Sequence, residues 1–210
     1  LRATVQLSVL SVLIGLLLAL PLALARASGP RWLSAPIWVF TYFFRGTPLI
    51  VQLYLIYYGS SFTLKDTVLW PVFREAFYPA LIAFTLNTAA YTTEILRGAI
   101  LATPRGELEA ARAYGMSWWT TTRRIVLPSA VRRALPAYSN EVIFMLHASS
   151  IASTVTILDL TGAAYNIYAK FYAPFEAFLF VALIYLCLTF VIIGGFKLAE
   201  GRLMGHLVTH

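Results

Sequence analysis

The chain has 210 residues and a formal net charge of +7, and it is 60% hydrophobic, 15% aromatic and only 12% charged. A soluble domain carries about 25% charged residues, so this composition excludes a soluble globule, a disordered chain and a soluble nucleic-acid binder. What remains is an all-α membrane protein, one domain over 1–210, in which each span needs about 20 mostly apolar residues. The lone Cys187 can form neither an intrachain disulfide nor a paired-cysteine metal site, and reads as a packed or membrane-facing thiol. The chain opens on Leu1 rather than Met, so an N-terminal piece is expected to be missing. The run 3–25 is too long for a signal-peptide core and lacks a cleavage pattern.

Five spans are expected. The first is 3–25, uncharged and closed by Arg26. Gly29-Pro30 then marks a turn. The stretch 35–44 is apolar and aromatic but half a span long, an interfacial segment with Trp32, Trp38 and Tyr42 at headgroup level. Spans two to five follow at 46–64, 77–100, 134–157 and 177–196. The stretch 101–133 between spans three and four is polar.

Charge orients these spans. Arg26, Arg31, Arg45, Arg97, Arg105, Arg112, Arg123, Arg124, Arg132, Arg133, Lys197 and Arg202 fall on one side, against Arg2, Lys65, Arg74 and Lys170 on the other. The positive-inside rule makes the first side cytoplasmic. The N-terminus is then outside and the C-terminus inside, and the excess charge needs no nucleic acid. No phosphate-binding loop, dinucleotide fingerprint, zinc-protease motif or nucleophile elbow occurs. The chain therefore has no visible means of hydrolysing a nucleotide.

The polar stretch 101–133 is the most informative. Its segment Glu107 to Tyr114 is a strong helix former with acidic residues in the first turn, where the helix dipole favours them. Gly115 can take the left-handed conformation that ends a helix. Ser117 is a plausible N-cap for a second short helix that ends before Pro128. Glu109-Ala110-Ala111, then Gly115 after three residues, then Ile125-Val126-Leu127-Pro128 after nine more, resembles the signature of membrane subunits of ATP-binding-cassette importers. Further matches are Arg45-Gly46-Thr47-Pro48-Leu49, the run from Asn87 through Glu94 to Gly98, the run from Leu135 to Glu141, and Leu146 to Ser150. Together they cover about 36–165 and resemble the polar amino-acid permeases. Within these the text is most similar to the M-type subgroup serving histidine, lysine, arginine, ornithine and opines. His147 stands where many relatives carry lysine, which favours that subgroup.

The resemblance implies the type I importer permease fold with a cytoplasmic coupling helix. Glu107, Glu109, Ala110, Ala111, Arg112 and Gly115 would then dock into a groove on a separate ATPase subunit, which binds ATP and magnesium. No cofactor or metal is expected in this chain. The implied partners are a homologous second permease subunit (a heterodimer rather than a homodimer), an ATPase dimer, a periplasmic substrate-binding protein and the bilayer of a bacterial inner membrane. No nucleic acid is among them.

Substrate contacts are sought among polar groups inside spans, since burying an ionisable group in lipid is costly. Asn87, Tyr91 and Glu94 share one helix face by their spacing. Glu94 can pair with a cationic substrate by a charge-assisted hydrogen bond, or with Arg97 or an arginine of a neighbouring helix. Asp159 is a second carboxylate for a cation or the N-cap of a helix beginning near Leu160. Ser149 and Ser150, with Ser153 and Thr154, are packing residues or hold a substrate carboxylate at a helix break. His147 reads as a hydrogen-bonded packing residue. Glu141, close behind Arg132 and Arg133, reads as an ion-pair or hydrogen-bond partner. Three rivals are weighed, one of them an export or regulatory membrane subunit sharing the fold, against which the importer signature weighs. Ser149 or Ser150 with His147 could make an intramembrane hydrolase, but no oxyanion-hole motif accompanies them. Glu94 with His147 could serve a stand-alone proton-coupled carrier.

Overall fold

The computed structural model describes residues 1–204, so the C-terminus that charge places inside lies outside the described residues. These residues form ten α-helices and no strand. In chain order they are α1 (Arg2–Ser28), α2 (Arg31–Gly46), α3 (Leu49–Thr63), α4 (Trp70–Phe73), α5 (Phe77–Leu101), α6 (Arg105–Ala113), α7 (Trp118–Thr121), α8 (Leu127–Ala148), α9 (Leu160–Phe171) and α10 (Pro174–Met204).

By length and hydropathy two helices, α1 and α10, can cross a membrane. Two bent pairs raise that number to four: α2 with α3, bent by 105°, and the run Trp118–Val155 with α9, bent by 49°. The 25-residue α5 is long enough too, but it carries Asn87, Thr88, Thr92, Thr93 and Glu94. Its polarity has a structural reason. α5 is the central helix, with α1, α2, α3 and α8 all packed on it, so its polar groups face protein instead of lipid.

The α1–α5 contact is the most extensive in the chain. Thr4, Ser8, Ser11, Gly15, Ala19 and Ala23 recur every three or four residues along α1 and are buried. A stripe of small side chains lets two helix backbones approach closely. A Cβ at Gly15 would run into the Thr88 methyl and the α5 backbone. Gly15→Val is expected to force the helices apart at a cost of about 1–3 kcal/mol, read as a lowered Tm in detergent with α-helical circular dichroism retained.

The half-span 35–44 belongs to a full helix, α2, set across the direction of α3. Gln52 explains the corner. Its side-chain nitrogen, Nε2, donates to Phe44 O at 2.8 Å, Thr47 O at 3.0 Å and Thr47 Oγ1 at 2.8 Å. Asn87 Nδ2 donates to Gln52 Oε1 at 3.0 Å and Phe44 O at 3.2 Å. Two buried amides therefore satisfy the carbonyls that the α2 terminus leaves open, and Pro48 prevents the helix from continuing through the bend.

The loop 101–133 differs from expectation at one point. The second helix does not stop before Pro128. After α7 the chain makes a π-helical turn over Thr122–Val126 and runs straight into α8, with Pro128 in its first turn. A first-turn proline loses no helical hydrogen bond, and the wider π turn accommodates the ring. At its far end α8 passes into a 3₁₀ segment, Ser149–Val155, that closes on Thr156 at φ 69°. The expected span 134–157 is thus a broken helix, and α9 follows at an angle. α10 buries little of its apolar stretch, and Cys187 is exposed on it.

Candidate functional site

The expected stripe on α5 divides into three environments. Asn87 is buried and committed to the α2–α3 corner. Glu94 is held at one end of the bundle. Its Oε2 lies 3.2 Å from Arg97 Nη1, its Oε1 lies 3.6 Å from Arg26 Nε, and Oε1 also accepts from Thr41 Oγ1 at 3.1 Å. Both carboxylate oxygens are engaged, and the group ties α1, α2 and α5 together. Of the stripe, only Tyr91 opens onto a cavity that also holds a carboxylate.

That cavity has a volume of about 360 Å³ and is lined by Tyr91, Ala137, Asn140, Glu141 and Phe144. Tyr91 comes from α5 and the rest from one face of α8. Glu141 is buried at 6% exposure, and its Oε1 has no hydrogen-bond partner. A buried carboxylate oxygen without a partner is costly; Oε1 itself is covered, while Glu141 as a residue lines the space. The Tyr91 and Phe144 rings lie 6.3 Å apart. The Arg45 guanidinium sits 5.3 Å from the Tyr91 ring centroid, and Tyr91 Oη donates to Arg45 O at 3.4 Å. One wall thus presents a carboxylate, an amide and two π faces, with a guanidinium at its edge. A cation would be drawn to Glu141 and the rings, and a carboxylate to Arg45 or the Asn140 amide.

Sequence reasoning assigned Glu141 to an interhelical ion pair or hydrogen bond, and Thr88 of α5 does stand beside its carboxyl; it did not foresee that Glu141 also lines a cavity. Arg133 turns instead toward α5, where it meets Ala99 and Thr103. The usable signal was the spacing Ala137, Asn140, Glu141, Phe144, which is one helix face carrying a carboxylate between small and aromatic neighbours.

The other candidates lie elsewhere. Asp159 is 1% exposed and caps α9, its Oδ1 accepting from Gly162 N at 2.7 Å, with the helix starting at Leu160. Ser149 is fully buried and donates to Leu146 O at 2.6 Å. Ser153 and Thr154 likewise donate to carbonyls three residues back. The break at the end of α8 exists, but these hydroxyls are spent on its own backbone. Ser150 faces a different cavity, of about 470 Å³, shared with His147, Thr161, Tyr185 and Thr189. There His147 Nε2 pairs with Thr189 Oγ1 at 3.0 Å.

Away from both cavities, α6 stands out from the bundle. Glu107, Glu109, Ala110 and Arg112 are exposed, whereas Ala111 is buried and Leu108 half-buried. Leu108 and Arg112 edge a cleft of about 400 Å³ with Leu24, Ile100, Trp118 and Val126. One face of the helix therefore looks onto a cleft beside the ends of α1 and α5, and the other is open. Gly115, at φ 67°, ends the turn, with Gly115 N donating to Arg112 O at 2.9 Å and Met116 N to Ala111 O at 3.0 Å. Ser117 caps α7 by accepting from Thr120 N at 3.3 Å. Among the described residues no cluster of side chains could hold a metal ion.

Comparison with known proteins agrees with this fold. The chain is 50% identical over 208 residues to the histidine/lysine/arginine/ornithine transport system permease protein HisM of Escherichia coli K12, covering 97% of this chain and 87% of that protein. It is 46% identical over 200 residues to the octopine transport system permease protein OccM of Rhizobium meliloti, covering 94% and 82%. A solved amino acid ABC transporter crystallised with histidines superposes with a TM-score of 0.85 at 35% identity, covering 96% of this chain and 91% of that one. The MetNI methionine ABC transporter, at 18% identity, shares the fold, with a TM-score of 0.81 over 96% and 93% of the two chains. The fold is that of ABC importer permeases. Residues 11–205 match the family of binding-protein-dependent transport system inner membrane components, and the chain belongs to that family of multi-pass membrane transport subunits.

Proposed function

We propose that this chain is one half of the translocation pathway of an ATP-driven importer for basic amino acids or opines, and that the Glu141 cavity is its wall for the passing substrate. The single observation that carries the reading is the buried, partnerless Glu141 oxygen beside Tyr91, Phe144 and Asn140. The charged end of arginine, lysine, ornithine or histidine supplies the missing donor. Arg45 stands within reach of a substrate carboxylate. The relatives' names, which specify basic amino acids and octopine, point to the same chemistry.

In this reading the cavity is closed by a homologous second permease, since Asn140 and Phe144 are exposed on its open side. Five spans place the N-terminus in the periplasm and the C-terminus in the cytoplasm. A periplasmic binding protein delivers substrate. α6 seats its open face, Glu107, Glu109, Ala110 and Arg112, in an ATPase subunit that binds ATP and magnesium. ATPase closure shifts the permease pair between inward-open and outward-open arrangements, favouring the state that makes the better contacts. Tyr91 and Glu141 touch substrate. Asn87, Ser149 and Asp159 hold the helices that present them, and Ser150 stands on a separate cavity.

The test is uptake into liposomes by the complete complex with its binding protein and ATP. Labelled arginine, histidine and octopine are expected to accumulate, and glutamine to be excluded. Uptake driven by a proton gradient without ATP would favour the carrier alternative.

Glu94 is proposed as an anchor of the α1, α2 and α5 ends. Glu94→Gln leaves Arg26 and Arg97 without their counter-charge. The expected result is lower uptake of every substrate in the same proportion, with the preference for arginine over glutamine unchanged. A selective loss of cation uptake would instead make Glu94 a substrate contact.

A further inference from the structure

Arg133 makes four hydrogen bonds, and three of them cross from α8 to α5 and the segment leading into α6. Its Nε and Nη2 donate to Ala99 O at 3.2 and 3.0 Å, and Nη2 also donates to Thr103 Oγ1 at 2.9 Å. Nη1 donates to Ser129 Oγ at 2.6 Å, within α8. Among the described residues no ion pair holds it. The charge is spent on a helix end. Ala102 N and Thr103 N bond to Gly98 O and Ile100 O, so Ala99 O is a carbonyl that the last turn of α5 leaves open. A guanidinium beside it also complements the negative pole of that helix.

The position of this contact matters more than its strength. Thr103 and Pro104 are the root of α6, which starts at Arg105. Arg133 lies eight residues before Glu141 on α8, a separation of about 12 Å along a continuous helix that carries Pro136 between them. On the other side of Arg133, the π turn Thr122–Val126 interrupts regular helix between α7 and α8. That turn is a soft joint, because a single-turn π bulge marks a place where helix winding is perturbed. Displacement entering through the loop after α6 meets the soft joint. Displacement entering through the root of α6 meets a planar fork locked onto α8.

We propose that Arg133 is the positioning residue that carries movement of the coupling helix to the Glu141 cavity. The fork moves α8 with the α5 end, so a shift of α6 carries Tyr91 on α5 and Glu141 and Phe144 on α8 together, as one wall. This rests on the transport reading given above. It assigns the mechanical link to the Arg133 side chain.

The test reads the number of ATP molecules hydrolysed per substrate imported, in liposomes holding the complete complex and its binding protein. Arg133→Lys keeps the charge but cannot reproduce the planar fork. Thr103→Val removes one acceptor at the root of α6, together with that hydroxyl's own bond to Ile100 O, and leaves the arginine. Both are expected to raise the ATP cost per substrate by about fivefold, the lower end of typical coupling energies between sites. Arg133→Gln is expected to raise it further. Ser129→Ala, which removes only the bond within α8, is expected to leave the ratio at the wild-type value. If uptake and hydrolysis fall together at constant ratio in Arg133→Lys and Thr103→Val, Arg133 is a packing clamp and the proposal is overturned. It is equally overturned if neither variant changes anything. Should Arg133→Gln fail to assemble, the other two variants decide alone. Absence of any uptake by the wild-type complex would overturn the transport reading instead, and so is distinguishable.

Discussion

Glu141→Gln is expected to lower the uptake of arginine and lysine by about tenfold or more, while the complex assembles and hydrolyses ATP at its basal rate. The substitution keeps the volume of the side chain and removes its charge. A hydrogen bond to a charged group contributes about 1.5–3 kcal/mol, and each 1.4 kcal/mol is a factor of about ten. The neutral amide still fills the space against α5, so packing of α8 is retained. Glu141→Asp is expected to fall between the two, because the charge survives one methylene further from the cavity. Uptake of glutamine is expected to stay as low as in the wild type. If arginine uptake by Glu141→Gln matches wild type, the carboxylate is a packing residue and selectivity lies in the binding protein or the second permease.

Gly115→Val is the second substitution with a large expected effect. Gly115 sits at φ 67°, a conformation that costs an L-residue about 1–2 kcal/mol and a β-branched one more. The strain falls on the turn that holds Met116 N on Ala111 O and Gly115 N on Arg112 O. With that turn opened, α6 loses its fixed angle to the bundle. The expected result is loss of binding-protein-stimulated ATP hydrolysis and uptake, with less ATPase retained on the purified permease. Gly115→Asn is expected to keep much of the activity, since asparagine tolerates the left-handed region. Equal activity in the valine and asparagine variants would show that the turn's conformation does not govern coupling.

Local chemistry was readable and non-local geometry was not. The Gly115 turn, the Ser117 cap and the Asp159 cap each involve residues within a few positions of one another, so residue type and spacing suffice to place them. Glu94 is different. One of its partners, Arg97, is a helical neighbour, but Arg26 and Thr41 arrive from other helices. The Asn87–Tyr91–Glu94 stripe is a true helix face, yet its three members meet a helix corner, a cavity and an ion-pair node. A face can be predicted from periodicity, but what lies opposite it cannot. Pro128 shows the converse. Its local rule, to end a helix, yielded to a π turn that lets the chain run on.

The sequence by itself determined that the chain is a bundle of membrane helices, where the importer signature stands, and which transport family it resembles. Those properties follow from composition, charge asymmetry and fixed spacings along one strand of text. Only the tertiary structure decided which carboxylate faces a cavity. Glu94 and Glu141 are both ionisable groups in apolar runs, and nothing local ranks one above the other. Packing settles it: α1 and α2 bring Arg26 and Thr41 to Glu94, whereas α5 brings Tyr91 to Glu141 and leaves one of its oxygens without a partner.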